Sequence, residues 1–271
     1  MSVRTSPPSL QTQLELDLAR GTSDLPTLPR GVTEALRLAR TPGLDFDELA
    51  HFAADDPPLA ARIISAVNSV SYARAGMTKI ASVRQAAVRL GTQATRDVLY
   101  QVAYTSIFID TPCFREHVEA TFQHGARAAR CARLLARNLH LDPDIAFLAA
   151  LLHDLGRARC WKLLARRRAA ATALDVAARA VDDLHTVAGE DLAIAWRLPD
   201  AVVEGCRWHH APAGRTYALL VAVADVVARL DGENGAEETA RGYLLSAGVP
   251  ADRIDDLIAR AAQQAGGLET A

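Results

Sequence analysis

Apolar positions along this chain cluster at helical spacing, and no stretch keeps up an alternation of apolar and polar residues. The pattern predicts helices throughout and no strands. Residues 1–22 are rich in Ser, Thr and Pro and read as a flexible tail with one short amphipathic stretch, Leu10 to Leu18. Leu25-Pro26-Thr27-Leu28-Pro29 is expected to open the ordered chain, because its prolines favour extended backbone. Asp45 with Glu48 reads as a capping box, and Asp56-Pro57 as an N-cap with proline at the first helical position. Ser82 is placed to cap VRQAAVRL, which Gly91 ends through a left-handed C-cap. The next helix starts at Thr92, runs towards Asp110 and stops near Pro112.

Longer helices follow. One covers 114–139 and carries His124, and Asp142-Pro143 opens another that ends in LLHDLGR. Further helices are expected over 172–196, 199–210, 215–231 and 236–264, broken at Pro199, Pro212, Gly232 and Pro250. The expected organisation is all-α: a tail (1–22), an N-terminal helical lobe (23–113), a second helical lobe (114–232) and C-terminal helices (233–271). No internal repeat is evident.

Composition narrows the function. Half of the residues are apolar and only 5% are aromatic, and the net charge is −2. Such a charge gives no case for direct nucleic-acid binding. No apolar run approaches the ~18 residues needed to span a bilayer, and the N-terminus lacks the apolar core of a secretory signal. A cytoplasmic protein without membrane contact is therefore expected. Cys113, Cys131, Cys160 and Cys206 are widely separated, without C-x-x-C spacing, and read as free thiols.

The chemistry lies in scattered histidines and aspartates: His124, His153-Asp154, His185, His209-His210 and Asp225. Their order would build a two-metal site in which Asp154 bridges two cations and neutral imidazoles fill the flanks. Imidazole with carboxylate suits iron, manganese or zinc better than calcium. His185 and Gly189 stand one turn apart, so a helix puts a small residue beside a candidate ligand. His51, His117 and His140 read as ordinary surface or packing residues. The run Lys162, Arg166, Arg167 and Arg168 reads as a solvated helix face, Asn68-Ser69 as a helix stop, and Trp196 and Trp208 as packing anchors.

Three separated motifs carry a resemblance: Leu25-Pro26-x-Leu28-Pro29, then DDPPLAARIISAVNSVSY (Asp55 to Tyr72), then IASVRQAAVRLG (Ile80 to Gly91). Together they resemble the HDOD family, bacterial signalling modules related to HD-type phosphohydrolases. The resemblance implies a bundle of short helices followed by an HD-like helical subdomain. The second lobe is also similar to the metal-dependent HD-GYP cyclic-dinucleotide phosphodiesterases. That similarity implies one metal on His124, His153, Asp154 and Asp225, and a second on Asp154, His185, His209 and His210. Three positions depart from it. Gly156 is followed by Arg157, where the enzymes have lysine; APAGRTY follows His209-His210, with no GYP loop; and Ala120 stands where some relatives carry a metal-binding glutamate.

The expected function is a regulatory helical module with two divalent ions in its HD-like lobe. It would act through a signalling protein partner or a nucleotide second messenger, with a homodimer also open. The alternative is an active phosphohydrolase in which Asp154 holds the metals and Arg157 steadies the phosphate. The two helices after Gly232 are expected to cap the bundle or to bind a partner.

Overall fold

The computed structural model describes residues 8–20, 30–68, 80–108, 111–167, 173–229 and 235–266. The Leu25–Pro29 motif, Ser69, Asp110, Arg168 and Gly232 lie outside them. Every regular element among the described residues is helical, as the pattern predicts. In chain order they are α1 Leu10–Ala19, α2 Arg30–Arg40, α3 Phe46–Asp55, α4 Pro57–Val67 and α5 Val83–Phe108. A 3-10 turn, Pro112–Phe114, leads into α6 Arg115–Asn138, α7 Pro143–Leu152, α8 Leu155–Leu164 and α9 Leu174–Ala195. Then come α10 Asp200–Trp208, α11 Thr216–Val227, α12 Ala236–Ser246 and α13 Ala251–Ala265.

Local chemistry sets most of these boundaries. The Asp56 carboxylate accepts from Leu59 N–H with Pro57 beginning the helix, and Asp142 accepts from Asp144 and Ile145 ahead of α7. Asp45 caps α3 through the N–H groups of Asp47 and Glu48. The expected capping box is half made, however, because the Glu48 carboxylate turns instead to Arg37, 2.6 Å away. Gly91 interrupts α5 with φ 73° and ψ 172°: the positive φ requires glycine, but the backbone is extended there and not in the left-handed helical well expected of a C-cap. Asn68 ends α4 and then clamps Ile80 from both sides, accepting from its N–H at 2.9 Å and donating to its carbonyl at 2.8 Å.

Helices α2, α3 and α4 pack on α5, and α5 in turn meets α6 and α8. A bidentate pair from Arg133 on α6 to Asp97 on α5, at 2.6 and 2.8 Å, ties the two lobes. Such paired bonds add direction to the packing. A single apolar core runs from α1 to α13.

Two expectations are corrected here. Residues 10–19, expected in a flexible tail, form α1, which lies on α8 and α9 and buries Leu14 and Leu18. Two of the basic residues expected on a solvated face are engaged: Arg167 reaches Gln13 and Asp17 of α1, both at 2.6 Å, and Lys162 donates to the Ile107 carbonyl at 2.8 Å. The C-terminal pair, left open between capping and partner binding, caps the bundle. Ile254, Leu257 and Ile258 are buried, and Arg130 on α6 donates to the carbonyls of Gln264 and Ala265.

Candidate metal centre

The HD pair does not sit inside a helix end. It forms the elbow between α7 and α8, with His153 as the C-cap of one helix and Asp154 as the N-cap of the next. That elbow lets adjacent side chains diverge within one pocket. His124 comes from the middle of α6, His185 from α9, His209 and His210 from the end of α10, and Asp225 from α11.

Two close backbone approaches hold the ring of helices together. A Cβ at Gly125, next to His124, would lie 2.6 Å from the Leu151 carbonyl oxygen, so α6 and α7 touch directly beside the elbow. A Cβ at Gly156 would lie 1.8 Å from the His185 carbonyl oxygen and 2.5 Å from the Gly189 nitrogen. The backbone of α8 therefore lies against α9 at the level of His185, and the His185–Gly189 spacing serves that contact.

All seven predicted residues converge. His124 Nε2 is 2.6 Å from Asp225 Oδ1, and His153 Nε2 is 3.3 Å from the same oxygen and 3.4 Å from Asp154 Oδ2. On the other side, Asp154 Oδ1 is 3.5 Å from His185 Nε2 and 3.7 Å from His209 Nε2. His185 Nε2 is 3.1 Å from His210 Nε2. Three overlapping sets result: His124, His153 and Asp225; His153, Asp154 and His209; and His185, His209 and His210. Within each set the donor atoms lie within 4.8 Å of one another. Two ligands about 2.1 Å from one ion are at most ~4.2 Å apart, so contraction by tenths of an ångström would complete each shell.

Tautomers are prepared as well. His153, His185 and His209 direct Nδ1 at the carbonyls of Ala150, Asp182 and Gly205, at 2.7, 2.7 and 2.8 Å. Donation there turns each Nε2 inward, with a free lone pair on the neutral His185 and His209 and, on His153, a proton that a cation would displace, the arrangement that second-shell carbonyls impose on metal-binding histidines. His153 Nε2 and Asp154 Oδ1 are buried without a well-formed hydrogen bond, although carboxylate oxygens and the Arg157 guanidinium stand within ion-pair distance of them. Buried polar atoms so poorly bonded are costly, and a cation placed between them would satisfy both. The donor set therefore fits a pair of borderline divalent ions.

Electrostatics follow the same division. Burial lowers His185 to about 4 and His209 to about 3, keeping both imidazoles neutral. Burial also opposes charge on His153, but Asp154 and Asp225 outweigh it and lift its pKa to about 10. Burial would raise both carboxylates. The positive neighbours win, chiefly His153 at Asp154 and the His124 and His153 bonds at Asp225, and hold both well below the usual range.

Arg157, already marked by its place after the HD pair, belongs to this surround together with Asp182 and Arg229, which sequence reasoning missed. Arg157, half-buried, lies 3.1 Å from Asp154 Oδ1 and pairs with Asp182 on α9. Arg229 pairs with Asp225 Oδ1 at 2.7 Å. Their signal was helical spacing: Asp182 one turn before His185, and Arg229 four residues after Asp225. Of the other histidines, His51 and His140 are exposed, and His117 packs against Trp161 with ring centroids 4.6 Å apart.

This helical fold with its His/Asp cluster is of the HD type. The chain belongs to the HDOD domain family, whose profile matches residues 25–212. It is 27% identical over 253 residues to an uncharacterized protein of Treponema pallidum, covering 86% of this chain and 48% of that one. It is 31% identical over 137 residues to ribonuclease Y of Desulfotalea psychrophila, covering 50% of this chain and 21% of that protein. The chain thus spans half or less of the length of these curated relatives. Among solved structures, a Shewanella amazonensis protein named as a candidate metal-dependent phosphohydrolase superposes with a TM-score of 0.65 at 20% identity, covering 95% of this chain and 98% of that one. An HDOD domain protein of unknown function from Geobacter sulfurreducens gives 0.57 at 21% identity, covering 94% and 98%. At that identity the likeness shows the fold. Among the described residues no helix is long and apolar enough to cross a membrane.

Proposed function

We infer that the chain is a regulatory HDOD module whose second lobe holds two divalent ions. His124, His153, Asp154 and Asp225 would hold one, and Asp154, His185, His209 and His210 the other. The observation that carries this reading is the set of three Nδ1-anchored imidazoles converging on the buried Asp154 carboxylate, His185 and His209 on Oδ1 and His153 on Oδ2. When bound, such ions supply Lewis-acid polarisation of a phosphoryl oxygen and lower the pKa of water. The protein's own contribution is to fix the tautomers, screen the carboxylates with Arg157 and Arg229, and exclude bulk water around Asp154, whose side chain is 4% exposed.

Regulation is favoured over turnover by the state of Arg157. Its guanidinium is pinned between Asp154 and Asp182, and with a pKa above ~12 it serves poorly as a proton donor to a leaving group. The module would then act through a protein partner or a nucleotide. A phosphodiester-hydrolysing reading rests on the two guanidinium groups beside the ligand carboxylates, which suit a phosphate, and on the partial similarity to ribonuclease Y.

Elemental analysis of protein purified without chelator tests the centre. About two equivalents of iron, manganese or zinc are expected, lost together in Asp154→Asn and His153→Ala. Fully folded wild-type protein that stays metal-free when supplied with these ions would overturn it. Incubation of the loaded protein with cyclic dinucleotides and a generic phosphodiester then separates the two readings: turnover would replace regulation by hydrolysis.

A further inference from the structure

The seam between the lobes carries a second candidate site that shares no residue with the metal centre. A cleft of about 490 Å³ opens between α2 and the turn joining α9 to α10. Its walls include Arg37, Arg40, Tyr104, Trp196 and Leu198. The volume falls within the ~300–1,000 Å³ of small-molecule pockets.

The chemistry of the walls is specific. Tyr104 is 0% exposed, and its hydroxyl, near the Arg40 guanidinium, makes no well-formed hydrogen bond. Burial pushes its pKa up to about 12 against the opposing charge of Arg40, so the phenol stays protonated and able to donate. A buried hydroxyl without a well-formed bond costs stability in the ligand-free protein, which makes its presence beside a cleft informative. Trp196 stacks on Tyr104 with centroids 6.0 Å apart and tilts against Phe108, giving the cleft an aromatic wall.

Charge selects among ligands. Arg37 is spoken for by Glu34 and Glu48, at 2.7 and 2.6 Å. Arg40, one turn further along α2, is exposed and has no carboxylate partner among the described residues. One cation that lies beside the Tyr100 and Tyr104 hydroxyls and not in an ion pair, next to an Arg37 already neutralised by Glu34 and Glu48, suits a single negative charge and disfavours a polyphosphate. Arg96 steadies the rim from behind by donating to the Thr41 carbonyl at 2.7 Å.

The turn itself is held rigidly. Arg197 adopts φ 52° without being glycine, and the N–H groups of Arg197 and Leu198 return to the carbonyls of Ile194 and Ala193 at 2.9 and 3.0 Å. This is a Schellman-type closure with a strained residue at its left-handed position. It directs Trp196 and Leu198 to the cleft on either side of Arg197.

We propose that the α2/α9–α10 cleft is a ligand site for a mononucleotide phosphodiester, its ring on the Trp196–Leu198 wall, its single phosphate charge at Arg40 and a polar ring or sugar atom at the Tyr104 hydroxyl. The test is calorimetry on the full chain with adenosine and guanosine 3′,5′-cyclic monophosphates, with ATP and inorganic phosphate as comparisons. Saturable one-to-one binding of a cyclic mononucleotide is expected, weakened at least about tenfold by Arg40→Ala and about three- to tenfold by Tyr104→Phe. His210→Ala, which alters the metal centre and not the cleft lining, should weaken it less than Arg40→Ala does. Tyr104→Phe should also raise the melting temperature of the ligand-free protein, because it deletes a poorly bonded buried hydroxyl, and this readout guards against mistaking misfolding for lost contact. Absence of saturable binding up to millimolar ligand would overturn the proposal. So would tighter binding of ATP, or binding that His210→Ala abolishes and Arg40→Ala spares. A site lost while the metal content of the protein is intact would refute this proposal alone.

Discussion

Adding one methyl group at Gly156 is expected to cost the protein stability and one of the two ions proposed for its metal centre. The added Cβ would fall 1.8 Å from the His185 carbonyl oxygen, whereas real Cβ atoms essentially never approach closer than 3.0 Å, so α8 and α9 must separate locally by at least 1.2 Å. Both contacted atoms are backbone, which cannot rotate away as a side chain would. Overpacking of this kind costs about 1–3 kcal/mol, and alanine's helix preference returns about 1 kcal/mol. At the upper end of that range, which a 1.8 Å approach to backbone demands, the net loss is about 2 kcal/mol and lowers the melting temperature of a chain this long by roughly 4–8 °C. Because His185 rides on the displaced backbone, its Nε2 withdraws from Asp154 Oδ1, now 3.5 Å away. Metal content of Gly156→Ala should therefore fall from about two equivalents towards one. Gly189→Ala is the control: its Cβ would meet Cys206 Cβ and the Gly156 nitrogen at 3.3 Å, a gap that slight shifts relieve. An unchanged melting temperature with full metal content in Gly156→Ala would show that the helices do not touch there.

The remaining expectations concern acid–base balance and the N-terminal helix. In chelator-treated protein, burial depresses His185 to about 4 and His209 to about 3, so their contribution is complete above pH 6.5 and is lost as pH falls through those values, on the order of 3 kcal/mol for His185. His153 is raised to about 10, so its contribution is complete below pH 6.5 and fades as pH climbs through 10. Urea midpoints should peak near neutrality and fall on both sides, and a monotonic curve would contradict the buried, oppositely shifted imidazoles. Leu14→Ala should cost roughly 2–5 kcal/mol despite its place near the N-terminus, because Leu14 is fully buried on the face of α1 that lies on α8 and α9. Leu16→Ala, at 52% exposure, should be close to neutral in the same denaturation assay, and equal effects would mean α1 is not docked.

What could be read from the chain was what local chemistry decides. Asp56-Pro57 and Asp142-Pro143 mark helix starts because a cap needs only its own next three residues. The ligand set was legible by residue type and order, and all seven members meet. The elbow at His153–Asp154 was not. Helix α7 is apolar on every side, with seven of its ten residues buried, so no change of periodicity marks its end and neither glycine nor proline stands there. Helix α1 escaped for a related reason: ten residues have little intrinsic helix stability in water, and what orders them is Arg167 and the α8–α9 surface, 150 residues away in sequence. Arg157 was singled out by its place after the HD pair, but its tether to Asp182 depends on the approach of α8 to α9 at Gly156.

Helices α9 and α10 give the two candidate sites a common frame. Trp196 and Leu198 stand at their closed end, while His185 lies three turns back along α9, about 16 Å at 1.5 Å per residue, and His209 closes the far end of α10. Any ligand that shifts this hairpin on binding at the turn must change the spacing of His185 and His209 from Asp154, and the ions must act back on the turn by the same free energy. The contact of α8 with α9 at Gly156 makes that frame stiff, so displacement at one end cannot be absorbed midway. The proposed metal pair, its nearby arginine tied to carboxylates, would gain little for turnover from such a link but would register whether the cleft is filled. On physical grounds the hairpin, more than either site alone, is what would make this module a signalling device.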